Sequence, residues 1–344
     1  MPFTAHDTPA IVSRIGGDLL LIEATLRRGD PHLRALILTG GFARGEGGVR
    51  DGAPQNDYDL VAVRGFGPPR VPYARMRADL EKRLGLHVDL ATVAAWRLPR
   101  VGRSVFWYET ALRGRVLWGE DLLGRVPVRD PKDLDPREGL RLLANRAAGL
   151  LLATEAASED AVRLQAAKAL LASFDAELLA AGHFAPSQRE RWVLFQGLLA
   201  THKVAPRLLP TVRAWQWAYR FKLDPATAST RNAAEAWRTA RRAILAAVPA
   251  ALAHAKMGSL HAYGRGDGIA DRIVYALRVH AVPGARRFVA HPTGGVRVAT
   301  LRLLEASVDG QVQVADARRC MAGIARPGAL PLRTLEGLRA ATLQ

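Results

Sequence analysis

Asp57 and Asp59 stand two residues apart at the start of an apolar run, Tyr58-Asp59-Leu60-Val61-Ala62-Val63. Alternate side chains of a strand share a face, so the two carboxylates project together while Tyr58 and Leu60 pack behind them. Side-by-side carboxylates repel unless a cation lies between them. Hard oxygen ligands in that arrangement suit Mg²⁺, which takes one or two carboxylates and fills its shell with substrate phosphates. Upstream, the strand-like run Arg34-Ala35-Leu36-Ile37-Leu38 leads through Thr39 into the pair Gly40-Gly41. Glycines there let the backbone approach a phosphate closely. A helix beginning at the pair turns its first N–H groups toward that anion. A phosphate cradle beside a metal-holding carboxylate pair is equipment for nucleotidyl transfer.

These residues, in this order, resemble the DNA polymerase β-like nucleotidyltransferase superfamily. Its pattern is an apolar strand, Gly-Gly or Gly-Ser, a spacer, then Asp-apolar-Asp-apolar, and Gly40, Gly41, Asp57 and Asp59 fill those places. The wording Gly41-Phe42-Ala43-Arg44-Gly45-Glu46 is similar to the uridylyltransferase branch that modifies signalling proteins. The superfamily expects a third carboxylate on a later strand, and Asp89 in Leu86-His87-Val88-Asp89-Leu90-Ala91-Thr92-Val93 supplies one. The resemblance implies a two-metal Mg²⁺ site held by Asp57 and Asp59. Asp89 completes it or acts as general base. Gly40, Gly41 and Arg44 bind the phosphates of a nucleoside triphosphate, ATP being the expected donor, and Arg44 neutralises the departing pyrophosphate. Glu46 is an alternative carboxylate. The spacer departs from the pattern by a few additional residues, the turn-rich segment 47–54.

Positioning these residues requires a small mixed-sheet domain, α+β in class, over residues 1–125. The spacing of Ile11, Ile15, Leu19, Ile22 and Leu26 predicts a helix over 8–28. Strands are expected near 34–39, 58–64, 86–93 and 115–119, with helices over 72–84, opened by Pro72, and from a Ser104 cap to Leu112. A proline-rich linker over 126–136 then leads to helical periodicity. Candidate helices span 137–156, 159–182, 187–203, 207–222 and 230–253, broken at Pro186, Pro206 and Pro225. This helical bundle domain, 136–255, is similar in wording at Lys168-Ala169-Leu170-Leu171, Gly182-His183-Phe184 and Arg189-Glu190-Arg191 to the companion domain of kanamycin-type nucleotidyltransferases. Residues 256–344 read as a C-terminal helical extension, with a loop at 263–268 and short helices at 272–277 and 298–304.

A formal charge of +17 over 344 residues invites a polyanion. The arginines are scattered among abundant alanines rather than gathered in a run, which favours a compositional origin over dedicated nucleic-acid binding. One cysteine, Cys320, allows no internal disulfide. No apolar run is long and charge-free enough for a membrane span, so a cytoplasmic protein is expected. The histidines form no zinc-ligand spacing. Trp215, Trp217, Tyr219 and Phe221 sit at helical i,i+4 steps and are expected as packing anchors rather than a base-stacking platform. Arg286 and His291 have the spacing of a HEPN ribonuclease pair but no helix to carry it. The resemblance admits three acceptors: a small hydroxylated molecule, a protein side chain or an RNA end. A nucleotide-binding module without turnover is the alternative from another class.

Overall fold

The computed structural model describes residues 2–153, 158–201, 211–225, 231–265 and 293–307. It is a mixed α+β molecule in two compact units. The first unit comprises Met1–Asp135, Phe184–Gln196 and Arg220–Ala228, and the second comprises the rest. The first unit thus takes in Phe184–Gln196 from within the expected bundle range of 136–255.

In the first unit, helix α1 (Pro9–Gly29) is capped by the Thr8 hydroxyl, which accepts from the Ile11 N–H. Strand β1 (Leu33–Leu38) follows, then a single turn of helix, α2 (Gly40–Ala43). The expected loop over 47–54 is a small hairpin, β2 (Val49–Arg50) and β3 (Ala53–Pro54). Asp51 and Gly52, both at positive φ, make its turn. Strand β4 (Tyr58–Arg64), helix α3 (Tyr73–Leu84) and strand β5 (Val88–Ala94) form a crossover unit with β4 and β5 parallel. Pro72 is the N-cap of α3 rather than a residue inside it. A 3₁₀ turn (Ala95–Arg100) leads to α4 (Val105–Arg113), capped as expected by Ser104, and to strand β6 (Arg115–Gly119).

The sheet runs β5-β4-β1-β6, with β1 antiparallel to both β4 and β6. Period-two alternation sorts the side chains cleanly. Leu36, Leu38, Tyr58, Leu60, Ala62 and Val88 join the apolar stripes of α1 and α3 on one face. Ala35, Ile37, Val61 and Val63 form the opposite face with Leu98, Val101, Leu122 and Trp107.

The second unit is helical. It is built on α5 (Glu138–Leu152), α6 (Glu159–Ala180) and α9 (Ala233–His254), which pack against one another. Helices α7 (Gln188–Ala200) and α8 (Val212–Leu223) each contribute residues to both units. Trp215 is buried, packs with its ring tilted 44° against Phe174 at 5.5 Å and donates to the Ser173 hydroxyl at 3.1 Å, so it is a packing anchor. Short helix α10 (Leu260–Arg265) takes in Tyr263 and Gly264, where a loop was expected, and α11 (Thr293–Ala306) covers the expected helix at 298–304. Residues 272–277, Arg286, His291 and Cys320 lie outside the described residues. Among those described, no helix is long and apolar enough to cross a membrane.

Candidate active site

The glycine pair, the Asp57/Asp59 pair and Asp89 gather at one end of the sheet. Asp57 immediately precedes β4 and Asp59 is its second residue; both side chains are partly buried. Tyr58 and Leu60 between and after them are fully buried in the α1/α3 core, as alternation demands. Asp59 and Asp89 are register partners in the parallel β4/β5 pair. Register partners point to the same face. By the same alternation, Asp59 and Asp89 lie on the face of Val61 and Val63. Asp89 is exposed.

Strand β1 brings the glycines to this end. The Thr39 N–H donates to the Asp59 carbonyl at 2.8 Å, one step beyond the Leu38–Leu60 pair. Gly40 then turns the chain at φ +66°. A Cβ built on Gly40 would lie 1.8 Å from Asp59 Oδ2. Gly40 is therefore required twice, by its left-handed backbone and by a carboxylate packed on its Cα. Gly41 is different: its Cβ would meet nothing closer than 3.5 Å. The turn is closed by N–H groups of Arg44 on Gly40 O (3.3 Å) and of Glu46 on Gly41 O (2.9 Å). Phe42 folds back onto the Tyr58 ring at 5.0 Å, which ties the turn to β4.

Arg44 has a different environment from that of a phosphate-facing arginine. Its side chain is only 8 % exposed and pairs with Glu46 at 3.1 Å and Glu109 of α4 at 2.5 Å. Burial disfavours its charge, but Glu109, Glu46 and then Asp59 outweigh burial and raise its pKa above the ordinary arginine value. Glu46 is wholly buried and accepts the first backbone N–H groups of α7, from Gln188 at 3.2 Å and Arg189 at 2.9 Å. Burial pushes the Glu46 carboxyl up, yet Arg44, Lys222 and those amides prevail and hold it below the usual carboxylate range. Glu46 thus serves as a helix cap supplied from 143 residues away rather than as a carboxylate facing a ligand.

Asp57, Asp59 and Asp89 offer hard oxygens suited to Mg²⁺. Gly40 and Gly41 put no side chain of their own over the turn, and Asp59 packs directly on Gly40. Among the described residues, no group of three or more Asp, Glu, His or Cys side chains could hold a metal by itself. The donor set fits a cation that takes one or two protein carboxylates and completes its shell with ligand oxygens. Sequence reasoning missed Glu109, Arg191 and Lys222, whose partners are too distant along the chain to leave a local pattern. It also missed Thr39, whose buried hydroxyl has no hydrogen-bond partner. The chain matches no protein-family model, no curated protein and no solved structure.

Proposed function

We propose that the protein is a nucleotidyltransferase that moves a nucleoside monophosphate from a triphosphate, ATP being the expected donor, to an acceptor hydroxyl with release of pyrophosphate. The observation that carries this reading is the packing of Asp59 on Gly40, with Asp57 beside it and Asp89 across the register. Asp57 and Asp59 would hold Mg²⁺, and Asp89 is the neighbouring carboxylate available as a third ligand or as general base for the acceptor proton. Mg²⁺, when bound, supplies neutralisation of the triphosphate and a lower pKa for the acceptor hydroxyl. The turn amides after Gly40 orient the phosphates. Arg44 supports the turn rather than the leaving group. The acceptor is a small molecule or a protein side chain, with an RNA end as the further option.

Pyrophosphate release from each triphosphate, measured with Mg²⁺ and a lysate as acceptor source, tests the reading. Release by the wild type and its loss in Asp57→Asn and Asp59→Asn support it. Equal release by the variants overturns it. The commitment of Arg44 to Glu46 and Glu109 favours a second reading, nucleotide binding without turnover, because it removes one expected partner of the leaving pyrophosphate. That reading requires nucleotide binding with no pyrophosphate above background.

A further inference from the structure

The hairpin that lengthens the spacer holds one side chain in place. Asn56, between β3 and β4, is partly buried and stands next to Asp57. Its Oδ1 accepts the Gly48 N–H at 2.7 Å, and the Gln55 N–H returns to the Gly48 carbonyl at 2.9 Å. A backbone N–H can only donate, so the oxygen of the Asn56 amide faces Gly48 and its nitrogen is directed elsewhere. That nitrogen, Nδ2, lies 3.6 Å from where a Cβ of Gly41 would stand. Among the described residues no acceptor bonds it. Gly48 fits closely on the opposite side: a Cβ there would come within 2.6 Å of Asn56 Oδ1 and 3.1 Å of the Lys222 carbonyl. The amide is thus fixed by its oxygen on the hairpin, with its donors beside the second glycine of the turn. An amide nitrogen carries two donors and no charge. A lysine or arginine in the same place would bring a charge that competes with a metal cation for Asp57, and an amide does not.

We propose that Asn56 is a binding residue for the triphosphate: its Nδ2 donates to a phosphate oxygen held over Gly41, and the β2–β3 hairpin is the element that aims it. The inference rests on the nucleotidyl-transfer reading and deepens it, because it gives the additional residues of the spacer a task. The competing task for Asn56 is to tie the hairpin down through its oxygen alone. The two tasks use opposite ends of one amide, and that separates them.

The test is calorimetric titration of the full chain with each nucleoside triphosphate and Mg²⁺, beside thermal unfolding of the unliganded variants. Asn56→Asp keeps an oxygen for the Gly48 N–H and loses both donors. Its unliganded midpoint is expected to stay near that of the wild type, while affinity for the triphosphate falls roughly 10-fold or more. Asn56→Ala loses both ends of the amide. Its midpoint is expected to fall, and the folded protein should bind roughly 10- to 100-fold more weakly, the scale of one hydrogen bond to a charged group. Gly48→Ala, at a residue with no ligand contact of its own, should weaken binding in the same direction, since its Cβ displaces the amide. If Asn56→Ala does not fold, Asn56→Ser, neutral and too short to reach Gly41, takes its place. Wild-type affinity in folded Asn56→Asp leaves only the hairpin tie and overturns the inference. Weakened binding in Asn56→Asp with wild-type affinity in Asn56→Ala marks repulsion by the added carboxylate and overturns it as well. Binding that is lost in Asp59→Asn but kept in both Asn56 variants sustains the nucleotidyl-transfer reading and overturns the inference alone. A wild type that binds no nucleoside triphosphate overturns both together.

Discussion

The two ends of strand β4 use charge in opposite ways. At the C-terminal end, Arg64 pairs with buried Asp30, which also accepts from the Tyr73 hydroxyl at 2.8 Å and the His32 N–H at 2.9 Å. One carboxylate meets three donors there, and the Arg64 guanidinium also lies over the Tyr73 ring at 5.5 Å. At the N-terminal end, Asp57 and Asp59 lie two residues apart, Asp89 stands across the register from Asp59, and Arg44 pairs with Glu46 and Glu109. The first end is a closed electrostatic circuit whose product is stability. The second gathers three carboxylates beside a turn opened by two glycines. Asp30 and Asp59 are both aspartates at the rim of the same sheet, and only their surroundings distinguish a structural carboxylate from a candidate ligand.

The largest effect on folding is expected at the closed end. Asp30→Ala leaves Arg64 and Tyr73 without their shared acceptor, and denaturant unfolding should show a loss of about 3–5 kcal/mol, the scale for breaking a buried pair. Nucleotide binding by the folded fraction should be unchanged. A loss of binding equal to that of an Asp59 variant would erase the distinction between the two ends.

Gly40→Ala should cost about 2–4 kcal/mol by thermal or denaturant unfolding, combining left-handed strain with displacement of the Asp59 carboxylate. Gly41→Ala should stay within about 1 kcal/mol of wild type, because its Cβ meets only ordinary contacts. Equal costs at the two glycines would contradict the cradle geometry.

Tyr58→Phe removes the hydrogen bond from the Tyr58 hydroxyl to Asp18 at 2.8 Å beneath the site. A loss of about 1–2 kcal/mol is expected, measured by denaturant midpoint, with little change in ligand affinity.

The smallest effect is a slope. Burial alone would raise the Asp30 carboxyl, but Arg64, Tyr73 and the His32 amide lower it below its ordinary value. A carboxylate with a depressed folded-state pKa contributes stability that is fully present above its unfolded value, near 4, and is lost as pH falls through the folded value. Glu46 acts in the same direction. Unfolding free energy should therefore fall from about pH 5 downward, and Asp30→Asn should flatten part of that acid limb. An unchanged acid limb would remove Asp30 from the circuit.

The strands, the first helices and the glycine–carboxylate pairing were legible because each rests on a local rule. Period-two runs mark β1, β4 and β5, a Ser104 cap opens α4, and two glycines interrupt an apolar run. Register was not legible. That Asp89 faces Asp59, rather than Asp57 or solvent alone, follows from how α3 returns the chain to make a parallel pair. The roles of Arg44 and Glu46 were likewise hidden. Their sequence suggests groups facing a ligand, whereas their partners are Glu109, 65 residues on from Arg44, and the amides that open α7. No residue pattern near Arg44 announces a buried acceptor that distant. The same separation explains why helical periodicity alone does not show that Phe184–Gln196 falls in the first unit.

The measurement that tests the account most directly is the thermal midpoint of the wild type and of Asp59→Asn with each nucleoside triphosphate, with and without Mg²⁺. A ligand that binds only the folded state raises the midpoint by mass action. A Mg²⁺-dependent rise is expected with one nucleotide in the wild type, and its loss is expected in folded Asp59→Asn. No rise with any nucleotide, or a rise retained in Asp59→Asn, would contradict the assignment of the N-terminal end of β4 as the ligand end.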